Sequence, residues 1–140
     1  MEDIIQDLYC SDDNTKPREF RRSESEIRSQ FIWSSNELAK ECFGMACEAG
    51  FFDRDRDNCD GEGIAFMHLE LSGALVALQN GNPPSEHLPE FSLVEEELAD
   101  VIIRIMYLAY ERGWRVNEAL TAKMAFQQTR LQAHKHRKQF

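Results

Sequence analysis

Apolar and polar positions along the 140-residue chain recur at helical spacing, and no stretch alternates with a period of two. The first firm helix is predicted from Ser34, where Ser34-Ser35-Asn36-Glu37 has the form of a capping box. Its apolar positions are Leu38, Cys42, Met45, Ala46 and Ala49, and Gly50 supplies a left-handed stop. A second helix is expected over residues 62–79, with a stripe of Ile64, Met67, Leu71, Leu75 and Leu78, ended by Asn80-Gly81. The linker Asn82-Pro83-Pro84-Ser85 cannot continue a helix through its prolines. Ser92-Leu93-Val94-Glu95 is a second capping box and opens a third helix, through Leu98, Val101, Ile102, Ile105 and Leu108 to Gly113. A fourth helix is expected from about Asn117 through Leu120, Met124 and Gln127 to about Arg130. Four amphipathic helices with short connections predict an all-α four-helix bundle.

Ahead of these helices, residues 1–30 are polar and mixed in charge and read as an extension, with one short helix at 3–8. The helical domain is expected to occupy residues 31–140. The loop 51–63 is dense in Asp, and Asp53, Asp55 and Asp57 alternate as calcium ligands would. The calcium-loop template nevertheless fails, because Asn58 stands where the turn glycine belongs and Ile64 where the closing acid belongs.

Composition narrows the class. A 42% apolar content with nine Phe and two Trp argues for a folded chain. No run of residues approaches the ~18 consecutive apolar positions of a membrane span. The acidic start Met1-Glu2-Asp3 carries no secretory pattern, and the four cysteines form no Cys-x-x-Cys pair, so a cytoplasmic protein with reduced thiols is expected. Cys42 and Cys47 read as small apolar fillers. A net charge of -9 excludes general nucleic-acid binding.

The charge is also unevenly placed. Residues 85–100 hold six acids and no Lys or Arg, whereas residues 123–140 hold five bases and no acid. Glu97 and Asp100 lie three apart on one side of the third helix, with Glu96 a near neighbour. Glu70 stands in an otherwise apolar stretch of the second helix. If those helices are antiparallel neighbours, Glu70 faces Glu97 and Asp100. Converging carboxylates repel one another and are stable around a divalent cation such as Mg²⁺, which favours oxygen ligands. Exposed acids in a first helical turn are also ordinary capping chemistry.

The stretch His68-Leu69-Glu70-Leu71-Ser72-Gly73-Ala74-Leu75, followed by Val94-Glu95-Glu96-Glu97-Leu98-Ala99-Asp100-Val101-Ile102-Ile103-Arg104, resembles the MazG-like all-α nucleoside triphosphate pyrophosphohydrolases. The likeness extends over about residues 36–136, through Ala49-Gly50-Phe51-Phe52-Asp53, Gly113-Trp114, Glu118-Ala119, Lys123-Met124-Ala125-Phe126 and Arg130 to His134. The resemblance implies hydrolysis of a nucleoside triphosphate to monophosphate and pyrophosphate, of the house-cleaning type, with Mg²⁺ or Mn²⁺ as cofactor. It assigns Glu70, Glu97 and Asp100 as catalytic and metal-binding acids, with Glu96 a further candidate ligand, and Lys123, Gln127 and Arg130 to the phosphate side. It also implies a homodimer or homotetramer.

Three features depart from the family pattern. Gly73 stands where the second acid of a Glu-x-x-Glu motif belongs, Gln127 where the family has Asn, and Leu131-Gln132-Ala133-His134-Lys135 keeps only the His of the usual ending. The alternative reading is therefore a catalytically degenerate relative that serves as a nucleotide- or partner-binding scaffold. The remaining candidates have plainer readings. His68 is a satisfied or surface histidine, His134-Lys135-His136 a basic terminus, and Trp33 and Trp114 are core or interface anchors.

Overall fold

The computed structural model describes residues 22–52 and 60–137, and the short helix expected at 3–8 and the Asp53–Asp57 loop lie outside them. Four helices carry the described chain: α1, Glu24–Glu48; α2, Asp60–Gln79; α3, Leu93–Arg112; and α4, Val116–Arg137. No strand occurs among the described residues, where the one β-type pairing is an isolated bridge between Pro84 and Ser92. The protein is an all-α bundle. α3 is its centre, packed by α1 and by α2, while α4 packs against α1.

Helix α1 begins ten residues earlier than Ser34. Ser23 is its N-cap: the Ser23 hydroxyl accepts from Glu26 N at 3.2 Å, and Glu26 Oε2 accepts from Ser23 N at 2.7 Å. Two capping-box sequences thus compete, and the upstream one wins because residues 24–33 hold no Gly or Pro to interrupt the helix. Ser35 becomes a buried interior position instead. Part of the expected extension, residues 24–30, is therefore helical.

The stops and the second cap follow the sequence. Gly50 has φ 78°, and Phe51 N reaches back to Ala46 O at 3.0 Å. At the end of α3, Gly113 has φ 66°, and Trp114 N donates to Ala109 O at 2.9 Å. Both are left-handed turns that satisfy terminal carbonyls and favour glycine. Ser92 caps α3, its hydroxyl accepting from Glu95 N at 3.4 Å while Glu95 Oε2 accepts from Ser92 N at 2.7 Å.

The faces that pack differ from the expected stripes. α1 buries Ser35, Ala39, Cys42 and Ala46, while Leu38 and Met45 stay 47% and 52% exposed. α2 turns Gly63, Met67, Glu70, Ala74 and Ala77 toward α3, burying Ala74 and Ala77. Ile64, Leu71, Leu75 and Leu78 remain outside. Small residues win these contacts because they let helix backbones approach closely. The core proper is Cys42, Ala46, Tyr107 and Leu108, with Phe43, Phe52, Met67 and Met106 against it. Phe52 meets Tyr107 edge-on at 5.5 Å, and Phe43 lies 5.2 Å from Tyr110. By length and composition alone α2 could cross a membrane, with a mean hydropathy of 1.2 over 18 residues.

Candidate functional site

Glu70, Glu97 and Asp100, the acids expected to converge, line one cavity between α2 and α3. Glu70 points from the middle of α2 toward α3, where Glu97 and Asp100 project one turn apart. The negative field of Glu70 reaches both Glu97 and Asp100. Burial, then Glu70, then Asp100 push the Glu97 carboxyl above its ordinary value of 4.5. Burial, Glu70 and Glu96 likewise raise Asp100 above 3.8, with Arg104 and His87 pulling the other way. These are the effects expected where like charges share a partly dry site.

The connection between α2 and α3 walls this site. Asn82 adopts φ 50°, and its Oδ1 accepts from Val94 N at 3.1 Å. Leu93 N donates to Pro83 O at 2.8 Å, and Ser85 N to Phe91 O at 2.9 Å. Ser85 is 3% exposed, and its hydroxyl accepts from the backbone of His87 and Leu88. The wall and the two helices form an open cavity of about 370 Å³ whose lining includes Glu70, Glu86, His87, Glu96, Glu97 and Asp100. Glu96 is held ionised by the Ser85 hydroxyl and by His87, whose Nδ1 lies 2.8 Å from Glu96 Oε1. Its second oxygen, Oε2, is buried with no hydrogen-bond partner.

Two residues without an assigned role in the sequence shape the cluster. Arg104 pairs with Glu70, its Nε donating to Oε1 at 2.7 Å and Nη2 making a second contact to the same oxygen. Its Nη1 donates to the Tyr107 hydroxyl at 3.1 Å, and the guanidinium lies 5.1 Å from the Phe66 ring centre and 6.0 Å from that of Phe51. An i+4 relation to Asp100 was the available signal, since it puts Arg104 on the acid face of α3. His87 left no periodic trace, because it sits in a loop. Gly73 has a structural consequence of its own: a Cβ built there would lie 2.5 Å from Glu97 Oε2. The Glu97 carboxylate therefore rests in the space that the missing side chain leaves open.

Lys123, Gln127 and Arg130 are not brought to the acids within this chain. They are exposed on α4, and the Lys123 and Arg130 cations flank the Phe126 ring at 5.6 and 5.9 Å. Trp33 and Trp114 lie outside the core of the chain, 68% and 46% exposed. His68 is exposed, Cys42 is a buried filler, and Cys47 lies outside the core.

The fit of a cation can be judged from these donors. Carboxylate oxygens are the ligands Mg²⁺ favours, and the cluster holds raised-pKa acids beside an orphaned buried oxygen. The present arrangement is not a closed cage, because Arg104 holds Glu70 and Glu97 lies over Gly73; no group of three or more His, Cys, Asp and Glu side chains among the described residues is already gathered at ion-gripping geometry. The donor chemistry, carboxylate oxygen, is of the kind that suits the ion. Comparison of the chain with protein-family models, with curated proteins and with solved structures finds no match.

Proposed function

We propose that the acid cluster between α2 and α3 binds Mg²⁺, or Mn²⁺, and hydrolyses a nucleoside triphosphate between its α and β phosphates. The observation that carries this reading is that Glu70, Glu97 and Asp100 line one cavity between two helices, with Glu97 and Asp100 both raised in pKa by burial and then by Glu70 and other neighbouring carboxylates. Negative charges held together in this way call for a cation. Glu70, Glu97 and Asp100 would hold the metal, with Glu96 beside them, and the ion would supply neutralisation of phosphate charge. A water oxygen would bond to the α-phosphorus, its proton leaving to solvent. The bond from that phosphorus to the bridging oxygen breaks, and pyrophosphate departs from the monophosphate. The reading includes a cytoplasmic location and activity of the house-cleaning type.

A second reading has its own support. Gly73 removes one carboxylate and Arg104 occupies Glu70, which suits a degenerate scaffold that binds a nucleotide or a partner without turnover. Pyrophosphate release from a panel of ribo- and deoxyribonucleoside triphosphates, with Mg²⁺ or Mn²⁺, separates the two. Release that vanishes in Glu97→Ala is the expected result. A silent parent protein across the panel would reject hydrolysis and favour the scaffold.

A further inference from the structure

Helix α1 changes neighbours along its length. Cys42 and Ala46, in its second half, pack with Tyr107 and Leu108 of α3. Toward its start the contacts are with α4: Asn117 Nδ2 donates to Asn36 Oδ1 at 2.8 Å, and Arg28 Nη2 donates to Gln128 Oε1 at 3.3 Å. These two contacts run in opposite chain order, so α1 and α4 are antiparallel. Ile27 and Phe31 lie to one side of the contact line on α1. Leu120, Met124 and Leu131 are displaced the same way from the line on α4, and antiparallel right-handed helices bring equal displacements onto one face of the pair. These five apolar residues are 54%, 40%, 46%, 52% and 62% exposed. Lys123 and Arg130 border the stripe on α4. Each lies near the Phe126 ring, and neither is ion-paired among the described residues.

We infer that this face of the α1–α4 pair is the docking site for the chain's own residues 2–13, held through Ile4, Ile5, Leu8 and Tyr9. Ile4 with Leu8 and Ile5 with Tyr9 stand four apart, the spacing that puts side chains on one face of the short helix expected at 3–8. Residues 2–13 also carry five acids, Glu2, Asp3, Asp7, Asp12 and Asp13, and no Lys or Arg. Their charge is opposite to that of the two cations beside the stripe, which favours and orients the contact. The connection delivers the segment to this place. It joins α1 at its cap Ser23, close to the Arg28–Gln128 contact in the middle of the stripe. Residues 10–21 can reach ~40 Å when extended, whereas the stripe from Leu120 to Leu131 is roughly 17 Å long. A tethered segment is present at an effective concentration on the order of millimolar, which a separate partner seldom matches. The bare outer face of α2 does not suit the same segment, because α2 holds Asp60, Glu62 and Glu70 and no Lys or Arg. The inference is independent of the chemistry assigned to the acid cluster.

Amide hydrogen exchange on the full chain, read by mass spectrometry, tests it. Residues 3–9 and residues 120–131 are both expected to exchange at least about tenfold more slowly in the parent than in Ile4→Lys with Leu8→Lys, since undocking opens both partners. Lys123→Glu with Arg130→Glu is expected to release the segment too, and adding Glu2→Lys, Asp3→Lys and Asp7→Lys to that variant is expected to restore protection. Should the glutamates unfold the chain by circular dichroism, Lys123→Gln with Arg130→Gln serves instead, with a smaller loss of protection. Equal exchange in the parent and in Ile4→Lys with Leu8→Lys, in either stretch, overturns the inference. So does protection untouched by replacing the two cations. Protection that fades on dilution would assign the face to a second copy, and protection gained only with phosphatidylserine vesicles would assign it to lipid; either outcome overturns the inference as well.

Discussion

Replacing Gly73 with alanine probes the site at its least ordinary point. A Cβ at residue 73 would stand 2.5 to 2.7 Å from all three carboxyl atoms of Glu97, well inside van der Waals contact. The obstacle is the far end of a flexible side chain, so the carboxylate swings away and the helices stay where they are. Alanine in place of a helix-interior glycine favours α2 by about 1 kcal/mol. Moving Glu97 off its resting place costs about 0.5–1.5 kcal/mol if it leaves a preferred rotamer, and it sends the charge toward Asp100, which already repels it. Stability without metal should therefore change by less than about 1 kcal/mol. Mg²⁺ affinity should rise, because the displaced carboxylate joins the convergent set. Urea unfolding gives the first quantity. Calorimetric titration, or the shift of the thermal midpoint with added Mg²⁺, gives the second. A variant that gains the full helix increment with unchanged Mg²⁺ affinity would show that Glu97 does not rest over Gly73. Gly73→Glu adds a fourth carboxylate to the same displacement and should raise affinity further.

Three other outcomes follow from the same geometry. The carboxyls of Glu97 and Asp100 titrate above their ordinary values of 4.5 and 3.8 in the folded chain. Their contribution to stability is thus fully present below those values and is lost as pH rises through the raised ones. Metal-free protein should become less stable across that window, and Mg²⁺ should remove the loss, as thermal unfolding from pH 4 to pH 7 would register. Arg104→Met leaves Glu70 mostly buried without its ion-pair partner, at about 2–3 kcal/mol, somewhat below the cost for a fully buried pair; urea denaturation with an undiminished midpoint would reject that pairing. Ser92→Ala removes the cap of α3 at about 1 kcal/mol, read as a lower thermal midpoint with the helical spectrum retained.

What was legible in the sequence was local. Ser92, Gly50 and Gly113 act within one turn of the chain, and each does in the structure what its residue type dictates. The choice of face was not legible. A window around Leu71 contains two seams one residue apart, and hydrophobicity alone favours the leucines. Close packing of α2 on α3 instead selects Ala74 and Ala77. The same substitution of small for large residues shifts α1 onto Ala39, Cys42 and Ala46. Periodicity reports that a helix is amphipathic; which of two adjacent stripes meets the neighbour depends on how near that neighbour comes.

The acid site shows a similar division. Glu97 and Asp100 were readable from their spacing on one helix, and Glu70 from its isolation among apolar residues. Arg104 was harder to find, because a cation four residues after an acid is ordinary on any helix surface. In the folded chain its guanidinium is flanked by Glu70, Tyr107, Phe66 and Phe51, and so it neutralises part of the cluster from within the protein. One cation cannot balance four carboxylates. Arg104 pairs with Glu70 alone, while burial and the neighbouring carboxylates raise the Glu97 and Asp100 carboxyls. A divalent ion beside those two would offset their repulsion. Glu97 and Asp100 are for that reason the residues on which Mg²⁺ affinity should depend most, ahead of Glu70.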